Sequence, residues 1–145
     1  MIDTFVIPQD KLAWGDLTPT MIGMMMQDGR LASHFIERQL EIWYPWLTFV
    51  DEKGYDHVDQ DGGRYDQKCF TKGGCFFAPS NMIGKGRSLD EEVAHAHAKE
   101  IKYIITDITE FPKIVVRFVD GSDLLEKYPK CKIPFKHKEE FFLDK

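Results

Sequence analysis

The sequence predicts a mixed α/β fold in which a central mixed β-sheet of about five strands is flanked by helices. Three observations predict it: a helical stripe from Gly29 to Tyr44, three compact strand-like runs after it, and a second helix followed by two further strands. No repeat, low-complexity tract or Pro/Gly/Ser linker splits the 145 residues. One domain spanning residues 1–145 is therefore expected, with its core at about 29–119.

Taken in order, Pro8 and Pro19 interrupt any pattern in the first twenty residues, which are expected to be irregular. The cluster Met21, Met24, Met25 and Met26 suits core or a partner surface. In GRLASHFIERQLEIWY the apolar residues Leu31, Ala32, Phe35, Ile36, Leu40 and Trp43 recur at helical spacing, and Pro45 should end the helix. Trp46 to Val50 is short, apolar and rich in strand formers, and Asp51 to Gly54 form a turn. Tyr55 to Asp59 and Arg64 to Thr71 are expected to pair as a hairpin. Residues 79–87 (PSNMIGKGR) have loop composition. Ser88 with Glu91 three places on forms a capping box for the helix up to Glu100. Ile101 to Thr109 and Lys113 to Val119 are β-branched strands, and Asp120-Gly121 signals a turn before a short polar helix or basic tail.

The composition bounds the class. At 43% hydrophobic and 13% aromatic residues the chain can fill a core without staples. Three cysteines, Cys69, Cys75 and Cys131, lack a disulfide or zinc-ligand spacing, so a reducing cytoplasmic setting is expected. No apolar run is long enough to span a membrane, and the first residues lack a signal-peptide pattern. The formal charge of −5 excludes a histone-like polycation. It also hides a segregation: residues 64–87 carry five basic groups against one acid, and residues 124–138 repeat that balance. A phosphate-binding face on an acidic body would look like this.

The chemistry concentrates around the hairpin. Asp66 and Lys68 are two apart and so share one face of their strand. An odd connection puts Asp56 opposite Asp66; an even one brings Asp59 there instead. Two close carboxylates repel unless a cation lies between them, and hard oxygen ligands suit Mg²⁺. An adjacent ammonium can position water or neutralise charge on a phosphoryl group. On the first helix, Glu37 sits beside the apolar stripe, where a carboxylate is costly unless it serves something; Glu41 lies one turn on. His95 and His97 are two apart and face apart on their helix, which makes them a poor chelating pair; a surface place is the default for both, with a supporting or phosphate contact at the active face as the alternative. His34 and His57 lie near the proposed acids.

The order of helix, three strands, helix and strand, with Glu37 in SHFIERQL, Asp56 in GYDHVD, and Asp66 and Lys68 in RYDQKC, resembles the PD-(D/E)xK nuclease superfamily and its restriction-endonuclease-like core. Within it, Gly29 to Leu40 is similar to the first helix of Holliday-junction resolvases and small phage endonucleases. The resemblance implies a metal-dependent DNA endonuclease. Asp56 and Asp66 would hold Mg²⁺, for which Mn²⁺ could substitute. Glu37 would bind that metal directly or through water, and Lys68 would position the attacking water. DNA would be gripped by Arg64, Lys72, Ser80, Asn81, Lys85 and Arg87. The resemblance also implies a homodimer with no membrane association, and a phage origin would suit so compact an enzyme. The rival expectation is a non-catalytic nucleic-acid- or protein-binding module that keeps the fold.

Overall fold

A computed structural model describes residues 1–79, 82 and 86–143. It is mixed α/β, built on a six-stranded mixed sheet with five helices. The strands are β1 (Ile2–Val6), β2 (Thr48–Glu52), β3 (Tyr55–Val58), β4 (Arg64–Phe70), β6 (Lys102–Asp107) and β7 (Lys113–Asp120), in the spatial order β1-β7-β6-β4-β3-β2. Two short strands, β5 (Cys75–Phe76) and β8 (Lys132–Ile133), pair separately. The helices are α1 (Pro19–Met25), α2 (Gly29–Trp43), α3 (Glu91–Glu100), α4 (Gly121–Lys127) and α5 (Lys138–Phe142). No described helix is long and apolar enough to cross a membrane.

Only β4 and β6 run parallel; every other pairing in the large sheet is antiparallel. Parallel neighbours need a long crossover, and here it contains β5 and α3. The central strands are buried on both faces. On β6, Ile104 packs with Ala32, Ile36 and Leu40 of α2 and Ile22 near α1's centre. Its neighbours Tyr103 and Ile105 pack the other way, against Ala94 and Ala98 of α3, Leu124 of α4 and Phe141 and Phe142 of α5. This alternation sorts β4 too: Tyr65 belongs to the α2 layer and Phe70 to the α3 layer.

Three parts depart from the sequence expectations. The N-terminal segment is ordered: β1 pairs along β7, Phe5 stacks on Trp43 at 4.1 Å, and Tyr44 donates to Asp3 Oδ2 at 2.6 Å. Pro19, instead of breaking structure, occupies the first turn of α1, where it gives up no hydrogen bond, and Thr18 caps the Met21 amide. The capping residue of α3 is Asp90, which accepts from Val93 N–H at 3.2 Å; Ser88 lies outside the helix. Beyond Asp120 the expected short helix is present as α4, but without the turn expected before it. Asp120 leads directly into α4, and Gly121 is needed because a Cβ there would lie 1.8 Å from the Ala98 carbonyl oxygen.

Candidate active site

The site forms where the hairpin comes apart. The β3–β4 ladder pairs His57 with Tyr65 and Val58 with Arg64, around a five-residue connection. That odd number extends the register to place Asp56 opposite Asp66. At this point the ladder stops: the Asp56 carboxylate itself accepts the Gln67 amide at 2.9 Å, in place of a backbone partner. A register shift in β2–β3, with Asp51 at φ 48°, bends the hairpin nearby. The parallel ladder to β6 continues through Phe70, so the β4 edge beyond Asp66 faces a cleft instead of a strand.

A cleft of about 560 Å³ occupies this edge. Asp66, Gln67, Lys68 and Cys69 form one side, and Gly29, Arg30, Ser33 and Glu37 of α2 the opposite side. At Gly29 the helix comes close to β4, where a Cβ would sit 3.4 Å from Cys69 Cβ and Thr71 Cγ2, in ordinary van der Waals contact. Thr71, Gly73, Gly74 and Phe76 close the outer end.

Asp66 is 7% exposed and lies at the focus of the charges. Its Oδ2 is 3.5 Å from Lys68 Nζ and 3.6 Å from His97 Nε2. Asp56 falls opposite Asp66 in the extended register, and two carboxyls so placed favour a proton on one of them. Burial, then repulsion by Asp66, pushes Asp56 up to about 8. Burial acts on Asp66 in the same sense, but His97, Lys68 and the bond from Asp56 together hold it below the usual carboxylate value. Burial also raises Glu37, with Asp51 and Asp66 adding to the rise and His34 and Lys68 opposing it. One carboxyl is kept protonated and its neighbour ionised.

The four candidates Glu37, Asp56, Asp66 and Lys68 thus meet in one neighbourhood. The alternatives are engaged elsewhere. Asp59 ties the β3–β4 connection by accepting from the Asp61 and Gly63 amides and from Tyr65 Oη. Glu41 binds Arg38 and the Phe49 amide. His57 turns away to the Glu37 carbonyl oxygen, and His95 reaches the Pro129 carbonyl oxygen. His97, expected at the surface, instead faces Asp66 with a buried Nε2 that makes no hydrogen bond. No local motif marks it, because its place depends on α3 packing across β4. Among the described residues, no three His, Cys, Asp or Glu side chains form a group that could hold a metal by themselves.

The basic candidates are less tightly gathered. Lys72 lies in the Thr71–Gly74 turn at the cleft mouth. Arg64 is at the other end of β4, over the Tyr55 ring, and Arg87 is exposed ahead of α3. Ser80, Asn81 and Lys85 fall outside the described residues. No protein-family model matches the chain, and no curated protein matches it in sequence.

Proposed function

We propose that the protein is a Mg²⁺-dependent DNA endonuclease with a restriction-endonuclease-like core of the PD-(D/E)xK type. The observation that carries this reading is Asp66 on an open strand edge lining a cleft, with Lys68 Nζ 3.5 Å from its carboxylate and Asp56 opposite it in register. A pair of acids whose mutual repulsion keeps one of them protonated is one that a divalent cation can occupy in the proton's place. Magnesium suits such a pair because it needs only one or two protein carboxylates, leaving the rest of its shell to water and phosphate. Asp56 and Asp66 would hold it, and Glu37 would complete the shell directly or through a water. When bound, the metal supplies Lewis-acid activation of the phosphodiester.

The chain's own groups have defined tasks. Lys68 stabilises the negative charge that grows on the phosphoryl oxygens and orients the attacking water. Glu37, held on α2 across the cleft, accepts a hydrogen bond from that water. His97 supports Asp66 from behind and keeps its carboxylate ionised. The reading carries a homodimer with it, one site for each strand of a duplex. Mn²⁺ is expected to substitute for Mg²⁺.

The test is cleavage of plasmid and branched DNA with Mg²⁺ or Mn²⁺. Asp66→Ala and Lys68→Ala should each lower the rate at least about a hundredfold, as loss of a charge-stabilising group does. Cleavage that survives both substitutions would overturn the assignment, and binding without cleavage would favour a non-catalytic module.

A further inference from the structure

The outer end of the cleft has a feature that the metal chemistry does not use. Phe76 lines the cleft and is 44% exposed, on a two-residue strand whose other member, Cys75, is buried. Directly opposite it in the β5–β8 ladder is Lys132, with Nζ 5.4 Å from the ring centroid. Among the exposed large apolar side chains of the described residues, Phe76 is the aromatic one that lines this cleft, so its ring is open to whatever enters. Beside it the Thr71–Gly74 turn brings Lys72, and on the opposite wall Arg30 is paired with Asp28 at 3.2 Å. The polypeptide here is tight: a Cβ on Gly74, which has φ +85°, would lie 2.3 Å from the Ile133 carbonyl oxygen. The ring is therefore mounted on a braced turn.

The floor of the cleft argues in the same direction. Asp66 is 7% exposed, and the Lys68 and Glu37 side chains retain 11% and 14%. A phosphodiester has to be brought down to these groups. In a stacked duplex the phosphate is held at the rim of a stiff helix, whereas an unpaired strand can bend into a recess and turn its bases outward.

Resting on the nuclease reading above, we propose that the cleft takes an unpaired segment of DNA, with one base stacked on Phe76 and the flanking phosphates neutralised by Lys132 and Lys72. Aromatic faces bind bases without sequence preference because every base has a π-face. The substrate class is then a single strand or the unpaired arm of a flap or branch, in preference to a continuous duplex. Lys132 belongs to the second basic segment of the sequence, and the β5–β8 pairing is what carries it to the cleft formed by the first.

The experiment uses the full chain without metal, so that binding is read apart from cleavage. A dT oligonucleotide carrying one 2-aminopurine is compared with the same strand annealed to its complement. The single strand should bind at least about tenfold more tightly, with the 2-aminopurine quenched by stacking. Phe76→Ala should weaken binding about tenfold and abolish the quench, and Phe76→Trp should restore both. Equal affinity for strand and duplex, or an unchanged quench in Phe76→Ala, would overturn the proposal. Circular dichroism of both variants excludes misfolding, and a restored Phe76→Trp excludes it independently. The two readings fail separately. Stacking without metal-dependent cleavage leaves this site and removes the nuclease. Cleavage that needs Asp66 and Lys68 but ignores Phe76 leaves the nuclease and removes this site.

Discussion

Asp56 and Asp66 have the same side chain and opposite protonation, and the difference comes from what each one touches. Asp66 has Lys68 and His97 within 3.6 Å, whereas Asp56 has burial and the Asp66 charge. This has a consequence for stability. In the unfolded chain Asp56 titrates near 3.8; in the folded, metal-free protein it titrates near 8. Between these values the folded state holds the extra proton, so the contribution of Asp56 to stability is fully present below about pH 4 and is lost as pH rises towards 8. Glu37, also raised, acts with the same sign, while Asp66 is lowered and acts only below the usual carboxylate range. Asp56→Asn keeps a donor for Asp66 and removes the titration. At pH 8 in chelator it should melt about 4 °C above wild type, the shift of about 1 kcal/mol in a domain of this size. Added Mg²⁺ should raise the wild-type midpoint and leave Asp56→Asn unmoved. Thermal melts from pH 5 to 8.5 check both, and a wild-type midpoint that stays flat over that range counts against the shared proton.

At the level of elements, the site depends on where strands and helices stop. The β3–β4 ladder ends because Asp56 captures the Gln67 amide, and the opened edge receives α2 at Gly29. The alternation that puts Asp66 and Lys68 on one face was legible in RYDQKC, as were α2 and its end before Pro45. The choice between Asp56 and Asp59 was not, because it depends on whether the hairpin connection is odd or even. Asp59 decides this itself by binding two amides within the connection and locking its length at five residues. The α3–α4 junction has a similar dependence on one residue. Gly121→Ala puts a methyl group into the Ala98 and Ile101 carbonyl oxygens and should cost about 1–3 kcal/mol. The expected result is a lower urea midpoint with an unchanged slope, since the compactness of neither state is altered. An unchanged midpoint would mean that the two helices are less firmly apposed than the backbone implies.

For the molecule as a whole, α5 belongs to the core as firmly as the central strands do. Phe141 and Phe142 pack with Phe70, and Arg117 donates to the Phe141 carbonyl oxygen at 2.7 Å. Lys138 joins α5 to Asp107 and Glu110. Truncation after His137 removes two buried phenyl rings, each worth about 3–5 kcal/mol by substitution. Against a total stability of about 5–15 kcal/mol, the shortened chain should be largely unfolded at 37 °C. Near-ultraviolet circular dichroism checks this, and a cooperative melt at the full-length midpoint would show that the C-terminal residues are dispensable. The basic stretch expected as a tail is thus tied to the core, and Lys127, Lys132 and Lys138 within it have set partners.

The sequence by itself determined the α/β class, the order of the central helices and strands, and the common face of Asp66 and Lys68, because periodicity and turn chemistry are local. It did not determine β1, whose apolar residues gain a purpose only when β7 and Trp43 lie beside them. Nor did it show His97 against Asp66, or Lys132 opposite Phe76. These pairs join segments that are far apart in the chain, and only the packing of both sheet faces brings them within range.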